Sequence, residues 1–128
     1  MEKNTRFYVC HICEKLIGLI HDTGVPTMCC GKEMELLEAN TTDASVEKHV
    51  PAYEVDEQNG EIIVKVGDVE HPMDKEHYIM WIAQVADNTT TRVRLLPEQA
   101  AMARMQYIKG ATLFAYCNKH GLWKTEVD

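Results

Sequence analysis

The apolar residues of this chain come in short runs broken by turn formers, and most runs carry the period of a strand rather than of a helix. Glu61-Ile62-Ile63-Val64-Lys65-Val66 is rich in β-branched residues and follows Asn59-Gly60, a pair that favours the tight turn of a hairpin. Tyr78 to Val85 alternates well enough for a strand, Thr90 to Leu96 can pair back on it across Asp87-Asn88, and Thr112 to Cys117 supplies another. Strands this short and this evenly spaced predict an antiparallel sandwich or barrel. Glu98 to Gln106 is the exception. Its Ala100, Ala101, Met102, Ala103 and Met105 favour a helix, so one short helix is expected there.

The N-terminal part follows a different logic. The run Leu16-Ile17-Gly18-Leu19-Ile20, followed by Gly24 and Pro26, suits a hairpin. A segment of about 35 residues cannot bury much core, so something besides the hydrophobic effect should hold it, and a metal is the economical candidate. The polar stretch Ala39-Asn40-Thr41-Thr42-Asp43 reads as a linker, dividing the chain into residues 1–38 and 39–128.

Composition narrows the function. The chain has 128 residues, 45% of them hydrophobic, enough for one ordinary domain, or for one small domain beside a second too small to build its own core without help. Lys and Arg total 13 against 20 Asp and Glu, a formal net charge of -7. That balance argues against a nucleic-acid surface, and an anionic substrate would need a local basic feature. No stretch approaches the roughly 20 apolar residues of a membrane span, and no apolar signal-peptide core follows Met1. A cytoplasmic protein with no membrane partner is expected. In that reducing setting five cysteines suit thiolate ligation better than disulfides, and their odd number forbids complete internal pairing.

Cys10, Cys13, Cys29 and Cys30 form the pattern C-x2-C-x15-C-C. Four thiolates in tetrahedral array suit zinc or iron, and spacing alone leaves the two metals level. The adjacent Cys29-Cys30 pair can share one ion only through a strained local geometry. A structural zinc knot, or two redox-active thiol pairs, are the competing readings of these residues. His11 and His21 lie in the same segment, but four thiolates leave neither needed, and both are expected as surface histidines.

The other four histidines stand in Glu47-Lys48-His49-Val50-Pro51, in His71-Pro72-Met73 with His77 six residues after His71, and in Cys117-Asn118-Lys119-His120-Gly121. Pro72 biases His71, and Pro51 biases Val50, toward extended backbone, so the two imidazoles should be displayed from stiff, non-helical loops. Four imidazoles and one thiolate make five donors, one short of an octahedron. An open site with a thiolate points to redox iron more than to structural zinc, which closes at four ligands.

The Cys29-Cys30 doublet resembles that of desulforedoxin, whose single iron is held by four cysteines. E-K-H-V-P, H-P-M-x4-Y-I-x-W-I and Y-C-N-x-H-G-x-W-K resemble the motifs of desulfoferrodoxin and its one-iron relative neelaredoxin, the superoxide reductases, and the likeness covers essentially the whole chain. One departure is Glu14, where that family usually has Gly after the second cysteine. The resemblance implies a mainly β protein: a desulforedoxin-like domain at 1–38 with iron on Cys10, Cys13, Cys29 and Cys30, then a neelaredoxin-like immunoglobulin-type antiparallel β-sandwich at 39–128. It implies a second iron in a plane of His49, His71, His77 and His120, with Cys117 axial and His120 binding through its other ring nitrogen. A sixth position would face solvent. A homodimer, superoxide as substrate, and rubredoxin or a similar electron donor are implied as well.

The chemistry expected from that likeness is one-electron reduction of superoxide to hydrogen peroxide. Lys48 is expected to steer the anion and hold the proton donor, Glu47 to supply the carboxylate that closes the oxidised site, and the polar Asp43-Ala44-Ser45 lead-in to let this segment move. Backbone amides of Lys119 and His120 should hydrogen-bond the Cys117 sulfur. Trp81 and Trp123 are expected as core aromatics rather than electron relays. Two alternatives remain at this point: a two-zinc binding module without turnover, and a superoxide dismutase.

Overall fold

The computed structural model describes residues 6–41, 46–67 and 71–128. It divides into two compact units, Met1–Glu38 and Ala39–Asp128. No helix among the described residues is long and apolar enough to cross a membrane.

The first unit is built on a three-stranded antiparallel sheet in the order β2-β1-β5, from β1 (Arg6–Val9), β2 (Leu16–Leu19) and β5 (Glu35–Leu36). Between β2 and β5 lies a minimal hairpin of β3 (Met28–Cys29) and β4 (Lys32–Glu33). Its apolar interior is small, comprising Phe7, Val9, Cys10 and Met34. The loop after β2 is pinned by Asp22, which accepts from the Tyr8 hydroxyl (2.8 Å) and from the Gly24 amide (2.8 Å). Such a unit sits well below the size at which burial alone stabilises a fold.

The second unit is an immunoglobulin-like sandwich. One single-turn helix, α1 (Val46–His49), leads into β6 (Pro51–Asp56), which pairs with β7 (Glu61–Val66) across the Asn59-Gly60 turn. Gly60 takes a φ of 64° there, and the Asn59 side chain donates to Asp56 at 2.9 Å. The second sheet runs in the order β12-β11-β8-β9, from β8 (Ile79–Val85), β9 (Thr90–Arg94), β11 (Thr112–Cys117) and β12 (Gly121–Glu126). β10 (Met102–Gln106) completes the three-stranded sheet β10-β7-β6.

β10 overturns the helix expected over Glu98 to Gln106. Its residues pair antiparallel with β7, Ala103 opposite Val64 and Met105 opposite Ile62, so burial alternates instead of following a helical stripe. Intrinsic propensity is a weak prior, and an open edge on β7 outweighs it.

The core lies between the sheets, where Ile62, Val64, Ile79, Ile82, Leu113 and Ala115 are fully buried. Side chains also tie one sheet to the other. The Thr125 hydroxyl donates to the Pro51 carbonyl at 2.6 Å, and the buried Gln84 donates to the Gln106 carbonyl at 2.9 Å. Part of the expected linker belongs to this unit. The Asn40 amide donates to the Leu122 carbonyl (2.9 Å), and its side chain accepts from the Lys124 amide (2.9 Å). Asp43-Ala44-Ser45, expected to be mobile, lies outside the described residues.

Candidate metal centres

Four cysteines converge in the first unit. Cys10 follows β1 and opens a turn closed by its own amide donating to the Lys15 carbonyl (2.9 Å) and by the Glu14 amide donating to the Cys10 carbonyl (2.8 Å). This turn holds Glu14 at a φ of 66°, in the left-handed region where a side chain is disfavoured. Cys29 and Cys30 sit on the β3–β4 hairpin, and the strain expected of adjacent ligands is located at Cys30. Its φ is 53° and that of Gly31 is 76°, so both central residues of the turn are left-handed.

The four sulfurs lie within 4.8 Å of one another, with Cys13 to Cys29 at 3.6 Å and Cys29 to Cys30 at 3.9 Å. Amides of Cys13 and Ile12 pointing at the Cys10 sulfur draw its pKa down to about 6. The neighbouring sulfurs, Cys13 first, push Cys30 up to about 12. Four thiols this close cannot all ionise unless a cation compensates the accumulated charge. Cys10 is buried, whereas Cys13 and Cys30 are exposed. His11 stands apart from the sulfurs and pairs with Glu35 on the surface at 2.8 Å.

Five donors converge in the second unit, drawn from three connections between strands. His49 ends α1, His71 and His77 lie between β7 and β8, Cys117 ends β11, and His120 lies on the turn into β12. The expectation of a non-helical display fails for His49, because Pro51 constrains Val50 alone and leaves the preceding residue free to close a helical turn. His71, before Pro72, lies outside any helix as expected, and its Nδ1 lies 2.6 Å from the Pro72 carbonyl, which turns Nε2 inward.

The four imidazoles form a closed cycle of edge-to-face neighbours. Centroids are 4.6 Å apart for His49–His71, 5.0 Å for His71–His77, 4.9 Å for His77–His120 and 4.9 Å for His120–His49, with interplanar angles between 75° and 89°. His49 Nε2 and His120 Nδ1 approach to 3.0 Å, and the Cys117 sulfur lies 3.9 Å from His120 Nδ1. His120 thus turns a different ring nitrogen inward from His49.

The residues present fit a metal. His71 Nε2 and His77 Nε2 are buried without a hydrogen-bond partner, an arrangement that costs free energy unless a cation accepts the lone pairs. Burial lowers the His71 pKa to about 4 and pulls His77 below the imidazole range, keeping both lone pairs free. Burial raises the Cys117 thiol, while amides of Lys119 and His120 oppose it by hydrogen-bonding the sulfur. Those two amides are where the sequence placed them.

Trp123, expected as a plain core aromatic, is one of the supports of the centre. It stacks on His49 at 4.9 Å and donates its indole N–H to the His120 carbonyl at 3.0 Å. A Trp three residues beyond a candidate ligand was the available signal. Trp81 stacks instead on Tyr116. Lys48 is exposed beside His49 on α1, and Glu47 precedes it, with a side chain outside the described part of the structure.

Two converging donor sets on all-β units define a class: small proteins with one thiolate-rich and one imidazole-rich candidate metal centre. Residues 41–126 match the family model described as Desulfoferrodoxin. The chain is 40% identical to a desulfoferrodoxin of Syntrophotalea carbinolica over 127 residues, covering 98% of this chain and 99% of that one. Among solved structures it resembles a superoxide reductase from Treponema pallidum, with a TM-score of 0.74 and 28% identity over 95% of this chain and 98% of the other. A one-iron superoxide reductase from Giardia intestinalis matches 64% of this chain and 98% of its own, with a TM-score of 0.56 and 27% identity. The chain belongs to the desulfoferrodoxin family.

Proposed function

We propose that this protein is a superoxide reductase, converting superoxide to hydrogen peroxide by one-electron reduction at a mononuclear iron held by His49, His71, His77, His120 and Cys117. The observation that carries this reading is the closed cycle of four imidazoles with two buried, unpartnered ring nitrogens and one thiolate at hand. When bound there, iron supplies a one-electron couple with room for a small anion. We assign the second iron to Cys10, Cys13, Cys29 and Cys30 in a desulforedoxin-like domain at 1–38, with residues 39–128 as the neelaredoxin-like reductase domain.

The chain's own residues prepare the site. His49, His71 and Cys117 are buried, whereas the rings of His77 and His120 are only half-buried, so the cycle lies nearest solvent on that flank. Neutral imidazoles and a single thiolate leave a divalent ion with net positive charge, which draws superoxide despite the acidic protein around it. Lys48 adds positive charge beside His49, where it would steer the anion and hold a water as a source for one of the two protons that hydrogen peroxide needs, the other coming from solvent. Glu47, on the same turn, is the candidate carboxylate that would close the oxidised site. Amides of Lys119 and His120 stabilise negative charge on the Cys117 sulfur and so would tune the potential of an ion held there. Electrons come from rubredoxin or a comparable small redox protein, and the protein works as a cytoplasmic homodimer.

The test has two parts. Purified protein should hold two irons and absorb in the visible, as ferric thiolate centres do, whereas a two-zinc module would be colourless. It should then consume one donor electron per superoxide and release essentially no dioxygen; dismutase stoichiometry, with dioxygen evolved and no donor consumed, rejects the reading. Lys48→Ala should slow the reaction with superoxide about tenfold and flatten its ionic-strength dependence while iron stays bound. Unchanged kinetics would remove the steering role.

A further inference from the structure

His77 is one of the candidate ligands that neither a strand nor the helix carries. It sits on the connection between β7 and β8, two residues before Ile79 opens β8, and a bridge to Asp74 closes its turn, with Asp74 N–H to His77 carbonyl at 3.0 Å and the reverse bond at 3.2 Å. Its Nε2 is nevertheless buried among the other donors, so something must hold the turn against the rest of the cluster.

The β8–β11 ladder is the natural clamp, but it loses register just there. Tyr116 lies opposite Trp81 and Cys117 opposite Ile79, so one residue of β8 is skipped at the last step. Beyond Cys117 the chain turns away toward His120. A regular strand would have continued pairing with residues 76 to 78, and the turn leaves of that ladder a single backbone bond, from the Asn118 amide to the Tyr78 carbonyl.

Asn118 fills this gap with its side chain. Its Oδ1 accepts from the Tyr78 amide at 3.0 Å, and its Nδ2 donates to the Glu76 carbonyl at 2.9 Å. Its own amide donates to the Tyr78 carbonyl at 3.2 Å. The two side-chain bonds fall on the residues immediately before and after His77. A carboxamide presents the donor and acceptor of a peptide group, so it replaces one rung of ladder where the backbone has left.

We propose that Asn118 is a positioning residue, a side-chain surrogate for β-backbone that fixes the His77 turn in register with Cys117 and His120. The inference rests on the reading of these five donors as a metal centre, and extends it to a residue that donates nothing to a metal. Asn118 is exposed, so its removal leaves no cavity and solvent can satisfy the freed groups; what is lost is alignment.

Cobalt(II) is the probe, titrated into metal-free full-length protein and followed in the visible. The four-thiolate centre in the same chain serves as internal standard. Asn118→Ala, with Asn118→Ser as a second variant too short to reach both groups, should weaken cobalt at the imidazole centre about tenfold or more and shift its ligand-field bands. The four-thiolate bands should not move. In a His77→Ala background the same substitution should change affinity by less than about twofold, because the ligand it aligns is already gone. Equal weakening with and without His77, or unchanged affinity and bands in both single variants, overturns the proposal. Failure of the parent protein to bind cobalt at the imidazole centre sinks this inference and the metal reading together. A parent that binds cobalt normally but whose iron form leaves superoxide untouched sinks only the reductase assignment.

Discussion

Single residues carry the strain in this molecule: Glu14, Cys30, Asn40 and Glu98 are held where glycine is at ease, and the first two lie in the turns that carry the four sulfurs. Glu14 at a φ of 66° closes the Cys10–Lys15 turn, and Cys30 at 53° turns the β3–β4 hairpin. Cys30 has no substitute, since its sulfur belongs to the cluster. Glu14 contributes only its backbone to the turn. Glu14→Gly should therefore stabilise the metal-loaded first unit by about 1 kcal/mol, the left-handed penalty removed less the added chain entropy. Loss of the sulfur-to-metal absorption with rising denaturant measures this, and a midpoint that stays put or falls would show that the turn bears no such strain. The sequence offered C-x2-C and the Cys-Cys doublet openly, because ligand spacing is a local property. Strain at the doublet was legible from the adjacency of Cys29 and Cys30, and Glu14 stands where the resembled family usually has Gly; the left-handed conformation itself was not, because nothing in the identity of Glu or Cys favours a positive φ.

At the scale of elements, β7, β8, β9 and β11 were legible from alternation and from the Asn59-Gly60 turn, since both signals are local and agree with the fold. β10 was not. Its Met102, Ala103 and Met105 prefer helix, and what decides their state is the open edge of β7, a partner some 40 residues away by sequence. The two readings separate by experiment, because a helix would place Met102 and Met105 on one face while the strand places them on opposite faces. Met105→Ala should cost about 2–4 kcal/mol in urea unfolding, as for other buried large-to-small changes. Met102→Ala, on the exposed face, should stay within about 0.5 kcal/mol. Equal losses at both positions would contradict the pairing. His49 teaches the same lesson on a smaller element: proline constrains its immediate predecessor and no further, so a helical turn fits where a loop was expected.

At the scale of the whole chain, the boundary at Glu38 and Ala39 was readable as a run of polar residues, yet that run is not slack throughout. Asn40 hydrogen-bonds to Leu122 and Lys124 and so belongs to the sandwich. Residues 39–128 produced alone should unfold in one cooperative transition and bind one equivalent of metal; an unfolded fragment, or one unable to bind metal, would show that the two units are not thermodynamically separable. The same fragment begun after Thr41 should be less stable by about 1 kcal/mol for the lost Asn40 bonds. The gathering of donors from His49 to His120 was suggested by motifs, while their supports were not. Asn118 and Trp123 act through contacts that exist only once β8, β11 and β12 are laid side by side.

The stacking of Trp123 on His49 has an optical consequence. An indole 1% exposed and 4.9 Å from a candidate ligand ring is a built-in fluorophore within quenching range of any paramagnetic ion held by that ring. The chain's other tryptophan, Trp81, lies on Tyr116 rather than on a ligand. In the purified protein, quenching of the Trp123 part of the emission gives a label-free gauge of occupancy at the imidazole centre.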